Sequence, residues 1–298
     1  MKKNIKKNEI FSYENREKRY HYYFRLFYNI FMSKYKIKGF SYKQNDYLFR
    51  KFFTVGKCAI INIPRTKEIA LADFGTVSYD YMDFPAEVTL INNRGVSFIP
   101  TTPQTVDETV VIGWIQRSGA PVSETVKLFA SRLANIDMLI NIAEKAQKTP
   151  WLIAVPPGSE KKVREFKNAL EADEPTLFFE IDDFDPKALI SGAPYLIDKL
   201  YNYKQAVFGE ALTFFGVSNL GNIEKNERMI TDEVNANNEL TYHCADTFKQ
   251  PLQEFIERTN EVLNHKFELI ENAVNYNTVK KGVFGEDKNE DEGDEEDV

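Results

Sequence analysis

Cysteine, histidine and tryptophan are scarce in this 298-residue chain, at two, three and two residues. Cys58 and Cys244 lie far apart. With no secretory leader expected ahead of them, they fit free thiols in a reducing compartment better than a disulfide framework. His21, His243 and His265 have no metal-ligand spacing, and adjacent residues such as His243 and Cys244 point their side chains apart on most backbones. The most apolar run near the N-terminus, Tyr22 to Met32, is about 11 residues long and contains Arg25, well short of the roughly 20 needed to cross a bilayer. A membrane segment is therefore not expected.

Motifs that carry chemistry are absent as well. No G-x-x-x-x-G-K-[ST], G-x-G-x-x-G or G-x-S-x-G occurs. The stretch PPGSEKK places two lysines near a glycine, without the spacing that lets backbone amides wrap a phosphate. Glu180, Asp182, Asp183 and Asp185 supply hard oxygens but no glycine turn of the kind a calcium loop requires. They read first as a solvated acidic strand end, with a subunit contact or a divalent ion as the alternatives. The expectation is a protein with no catalytic residues, no cofactor and no metal site.

What the chain does have is apolar content, 43% of its residues, enough for a sizeable core in one large or two ordinary domains. Its charge is uneven: Met1 to Lys51 carries +10, Glu286 to Val298 carries -8, and the remainder makes up a net -7. The tail GEDKNEDEGDEEDV reads as a disordered, solvating end, or else as an electrostatic arm that touches a basic partner or keeps nucleic acid away. At the other end Lys2, Lys3, Lys6 and Lys7 read as a flexible basic arm for nucleic acid, with plain solvation as the alternative.

Periodicity orders the middle. Residues 1–12 are polar and basic, and Arg16 to Tyr35 reads as a helix with Tyr20, Phe24, Phe27 and Phe31 on one side. From Lys38 to about Val122 short β-rich runs (CAIINI, EIALADF, TVSYDY, EVTLI, VSFI, TVVIGWI) alternate with turn residues such as Pro64, Gly75, Asn92, Asn93 and Gly95, predicting a small antiparallel β domain. Pro121 and Ser123 open a long helix with a heptad-like seam of Val126, Phe129, Leu133, Ile136, Ile140 and Ala143. Trp151 to Ser191 reads as strand, helix, strand, helix, with WLIAV and TLFFEI as the strands, Val163, Phe166 and Leu170 on the first helix, and the second helix after Pro186. At about 40 residues this insert is too small to hold its own core. Pro251 sets up a further helix through Leu252, Phe255, Ile256, Thr259 and Leu263, and KFELIENAV is a closing strand.

The most informative segment is Ala193 to Val234. Leu196, Leu200, Tyr203, Val207, Ala211 and Phe214 form one apolar row, and Ile197, Tyr201, Phe208, Leu212 and Phe215 a second. Such a helix has two apolar sides, and its roughly 23 residues would span about 35 Å, enough to line a channel. It runs from Pro194 to Gly216 and Val217, then into a polar loop hinged at Gly221 with mixed charges from Glu224, Lys225, Glu227 and Arg228.

The blocks AQKTPWLI, after a long helix, then APYLIDKL and EKNERMITDEV, in that order and at similar spacing, resemble the portal (upper collar, head-tail connector) proteins of small short-tailed phages of the Picovirinae type. The close resemblance covers roughly residues 125 to 238. It implies an α+β portal fold with long stem helices, a β-rich wing and a small α/β clip, in a ring. On that plan residues 1–12 are a basic arm, 13–37 a wing or stem helix and 38–122 the wing. Residues 123–148 form a stem helix, 149–192 the clip, 193–217 the inner stem helix and 218–238 a tunnel loop. Residues 239–284 return to the wing as helix and strand, and 285–298 are the acidic tail.

The resemblance also implies a function: a virion protein at one capsid vertex, assembled in the host cytoplasm, through which double-stranded DNA is packaged, retained and ejected. Its implied partners are eleven further copies of itself, a packaging ATPase and packaging RNA, the major capsid and scaffolding proteins, and a lower-collar or tail protein. Lys199 matches a channel-facing lysine of the family; a surface lysine paired across the stem interface with a neighbour's Asp198 is the alternative. Ile190 stands where the family has a second channel lysine. Asn219, Asn222, Lys225, Asn226 and Arg228 become DNA-contacting residues of the tunnel loop, and the basic arm faces DNA or the packaging RNA. The competing reading from another class is a DNA-binding adaptor or structural protein that forms no ring and uses only its basic arm.

Overall fold

The computed structural model describes residues 2–64, 66, 68–91, 95, 97–147, 151–155, 176–180, 195–217 and 231–272. The chain divides into two units, Met1–Tyr20 with Arg132–Ala206, and His21–Ser131 with Val207–Val298, which are taken separately.

The larger unit is built around an antiparallel sheet of β2 (Lys57–Asn62), β3 (Ile69–Tyr79), β4 (Pro85–Ile91), β5 (Gln104–Thr105) and β6 (Val110–Trp114), in the order β5-β4-β3-β2-β6. This is the β domain expected from the sequence. One face of it buries Ala59, Ile61, Ala70, Ala72, Phe74, Val88, Leu90, Val110 and Ile112, every second residue along each strand, as pleating requires. β2 is the one strand with a neighbour on either side that is buried from Cys58 to Ile61 without a break. Its second face meets helices.

Three details differ from the sequence expectation. Gly75, read as a turn residue, lies inside β3 opposite Thr89, so EIALADF and TVSYDY are one strand; its irregularity comes later, as register shifts between Thr76, Ser78 and Tyr79. Ser97 to Ile99 of VSFI form a turn, not a strand. Within the span read as all β, Tyr42–Thr54 forms helix α2. Its local cause is a capping box: the Ser41 hydroxyl accepts from the Gln44 amide at 3.3 Å while the Ser41 amide donates to Gln44 Oε1 at 2.8 Å. Leu48, Phe49, Phe52 and Phe53 then share one buried face.

Helix α1 (Lys2–Lys34) is longer than the expected helix, which began at Arg16. The first 12 residues, read as an arm, contain no proline or glycine to break it, and the backbone is helical from Lys2. In the larger unit α1 buries Tyr23, Phe27, Ile30 and Phe31. Phe27 lies 5.8 Å from Phe208, 6.0 Å from Phe215 and 6.5 Å from Phe129, and Phe31 packs edge-on to Phe49 and Phe248. Aromatic pairs at these separations add about 0.5–1.5 kcal/mol each beyond burial.

Helix α3 (Val122–Gln147) lies within a residue of the long helix read over 123–148, and α4 (Ile197–Phe214) lies inside the helix read over 193–217. The two-sided character of α4 holds in its C-terminal half, where Val207, Phe208, Ala211, Leu212 and Phe215 are all buried. It does not hold in its first turns, where Tyr203 is 49% exposed. Helix α5 runs Thr231–Leu263, so Pro251, expected near a helix start, lies within it. An internal proline costs about 3 kcal/mol; burial of Phe248, Leu252, Phe255 and Ile256 around it offsets that. Gly113 lets α5 approach β6, because a Cβ there would sit 2.4 Å from the Phe255 ring.

The expected closing strand is shorter, β9 (Glu268–Glu271), and pairs antiparallel with β1 (Tyr35–Lys38), Ile37 opposite Leu269. A lone two-stranded sheet is marginal. Here asparagines complete it: Asn45 donates to and accepts from Ile37 (3.1 and 2.7 Å), and Asn260 does the same for Phe267 (2.9 and 2.8 Å). Each side chain stands in for a missing strand.

In the smaller unit β7 (Trp151–Val155) and β8 (Thr176–Glu180) pair in parallel, Trp151 opposite Thr176. These are the two strands read in the insert. Its expected helices, with Val163, Phe166 and Leu170 and after Pro186, lie outside the described residues, as does most of the acidic cluster beyond Glu180.

Candidate nucleic-acid interface

Of the residues expected to face DNA, Lys199 is described in full. It lies in the first turn of α4, is exposed, and makes no ion pair among the described residues. Asp198 accepts a hydrogen bond from the Tyr195 hydroxyl at 2.9 Å, and that bond holds the Tyr195 phenol above its ordinary pKa. The carboxylate named as the alternative partner of Lys199 is thus already engaged within its own chain.

The second lysine of α4 behaves differently. Lys204 Nζ reaches Asp137 Oδ1 of α3 at 2.9 Å, with both side chains mostly buried, and Arg19 of α1 reaches Asp137 Oδ2 at 3.4 Å. Arg16 donates to Asn135 at 2.7 Å one turn away. One carboxylate therefore ties three helices of the smaller unit together. Five residues at about 100° each place Lys204 roughly 140° around the helix from Lys199. Lys199 falls instead on an exposed stripe with Asn202, Tyr203 and Ala206, Tyr203 accepting a contact from Arg132 at 3.4 Å. The Asp137 network escaped the sequence reading. Its one signal was a single acid in the otherwise uncharged run LANIDMLINI.

Lys2, Lys3, Lys6 and Lys7 fall on the helical backbone of α1, and their side chains lie outside the described residues. Asn219, Asn222, Lys225, Asn226 and Arg228 also lie outside them, as does Ile190. The loop expected over 218–238 overlaps α5, which begins at Thr231.

Elsewhere the polar groups hold structure. His265 stacks on Phe267 at 4.8 Å and meets Asn62 Oδ1 at 2.8 Å, and His243 lies 3.9 Å from Glu239. A cleft of about 600 Å³ in the larger unit, lined by Phe84, Ile112, Trp114 and Phe255, has its arginines in ion pairs, Arg117 with Glu254 and Arg258 with Asp107. Among the described residues no group of three or more His, Cys, Asp or Glu is placed to hold a metal ion, and no helix is long and apolar enough to cross a membrane.

The family described as Phage Connector (GP10) matches residues 101–272, more than half of the chain. The chain belongs to that family, and is a phage portal, or head-tail connector, protein of the virion. Among solved structures it is similar to one described as the portal and tail of native bacteriophage P68, at 8% identity over 95% of this chain and 94% of that one, with a TM-score of 0.46.

Proposed function

We propose that the chain forms a closed ring of twelve subunits at one capsid vertex, with double-stranded DNA passing along the axis during packaging and ejection. Family membership is the observation that carries this reading. The exposed apolar residues of the smaller unit support it: Leu139 and Ile142 on α3, Tyr195 and Leu196 just before α4, and Tyr203 within it are 41–59% exposed in a single copy. Adjacent copies in a heterologous ring cover such rows. The protein acts as a conduit and carries out no reaction of its own; the packaging ATPase, with packaging RNA, docks at residues 149–192 and a lower-collar or tail protein follows it there. Capsid and scaffolding proteins contact the larger unit.

In this reading Lys199 lines the channel, and a ring of single lysines on an otherwise acidic body gives weak, repeated contacts that let DNA slide. Asn219, Asn222, Lys225, Asn226 and Arg228 contact DNA from the tunnel segment, and Lys2, Lys3, Lys6 and Lys7 contact DNA or RNA. The test is to replace Asn219 to Ile230 with a glycine-serine linker of equal length. Rings are expected to form as before while particles lose packaged DNA. Failure to form rings makes the segment structural and removes it from the DNA path.

A further inference from the structure

We propose that the β3–β4 hairpin is an assembly arm: its apolar, acidic tip seats on the basic start of α2 in the next copy of the chain. This rests on the ring reading above and gives that ring a contact in the larger unit.

The tip leaves an unusual amount of apolar surface in water. Val77, Tyr79, Tyr81, Met82 and Phe84, five of eight consecutive residues, are 51–90% exposed. Apolar groups clustered in this way mark a contact surface. The tip also holds its shape: Asp80 Oδ1 accepts from the amides of Met82 at 2.8 Å and Phe84 at 2.9 Å, the Asp80 amide donates to the Phe84 carbonyl at 2.8 Å, and Asp83 sits at φ +62°. A loop ordered beforehand loses little freedom on docking.

Charge selects the partner. Residues 77–91 contain Asp80, Asp83 and Glu87 and no lysine or arginine, and the two arginines of the cleft beside Phe84, Arg117 and Arg258, are already paired with Glu254 and Asp107. The complement of such a tip is an exposed aromatic group among free lysines. The larger unit has one where β1 turns into α2. Lys36, Lys38 and Lys43 are exposed within eight residues that also hold Tyr42, itself 84% exposed. Asn45 bonds both the amide and the carbonyl of Ile37 and so ties β1 to α2. Lys38 meets Glu268 at 2.9 Å, while Lys36 and Lys43 make no ion pair among the described residues.

The two surfaces are out of reach of each other within one copy. Gln44 Nε2 donates to the Ile69 carbonyl at 3.2 Å, which fixes the start of α2 beside the start of β3, and the tip lies past Tyr79 at the other end of that strand. Ten residues at about 3.3 Å each put them about 30 Å apart. Two different, complementary patches at opposite ends of one strand make a head-to-tail contact, the kind that propagates into a ring. Tip against tip would set acid against acid.

The experiment is cross-linking of the full-length chain carrying Cys244→Ser, Met82→Cys and Lys43→Cys, which leaves only the buried Cys58 besides the two introduced thiols. A short bismaleimide should give a ladder of linked copies on a denaturing gel, and neither Met82→Cys nor Lys43→Cys alone should give one. Sedimentation of the untreated sample reports ring formation separately. Rings without a ladder, or linked dimers from Met82→Cys alone, overturn the arm and leave the ring reading standing; a native chain that forms no ring overturns both. Charge is tested by Lys36→Glu with Lys43→Glu, which should raise the concentration at which rings half-form by about tenfold, and by adding Glu87→Lys, which should restore most of the loss. An unchanged half-forming concentration, with particles that fail to assemble, assigns the tip to another virion protein and overturns the proposal.

Discussion

Replacing Asp137 with alanine should be among the most damaging single changes in the smaller unit. The carboxylate is 12% exposed and receives Lys204, itself 14% exposed, at 2.9 Å and Arg19, 33% exposed, at 3.4 Å. Breaking a buried pair by deleting one partner costs about 3–5 kcal/mol, because the surviving charge is left desolvated. Arg19 is exposed enough to recover water, and Lys204 can recover part of its hydration by extending its stem. That discounts the loss to about 2–3 kcal/mol. The reasoning makes a second, opposite demand: Asp137→Leu combined with Lys204→Met removes both buried charges and should lose less stability than Asp137→Ala alone. Urea denaturation followed by circular dichroism measures both, with Arg19→Gln as a control expected to lose under about 1 kcal/mol. An Asp137→Ala loss below about 0.5 kcal/mol, or a double variant worse than the single one, would refute the assignment of Asp137 as a buried tie between three helices.

Two other consequences are open to simple measurement. Lys199→Ala should leave the melting point nearly unchanged, since an exposed lysine without an ion pair contributes under about 1 kcal/mol, yet alter DNA retention in assembled particles; a destabilised ring with retention intact would remove Lys199 from the channel. Cys58 is fully buried, its thiol pushed up by burial, whereas Cys244 is partly exposed. Native protein should therefore react with a thiol reagent at one site and denatured protein at two, and rapid native labelling of Cys58 would contradict the packing of β2.

What was legible in the sequence follows from the range of the forces involved. α3 and the buried half of α4 were readable because local apolar rows at helical spacing coincide with their buried faces. β2, β4 and β6 were readable from β-branched runs. α2 was missed although its capping box, Ser41 and Gln44, was on the page: the aromatic residues after it suit a strand as well as a helix, and the cap decides between them. Pro251 misled because local chemistry sets a penalty that tertiary burial can exceed. The Asp137 network was invisible for a different reason: Arg19, Asp137 and Lys204 are brought together only by packing of separate helices. Lys199 was singled out by the resemblance and not by periodicity, which gives an exposed lysine no distinction.

The most direct measurement on the central claim is the mass and shape of the purified full-length chain by light scattering and electron microscopy at moderate salt. The account predicts a closed ring about an order of magnitude heavier than the 34.5 kDa chain, with a central hole wide enough for duplex DNA. A stable monomer or dimer with full helix content, unchanged as concentration rises, would contradict it.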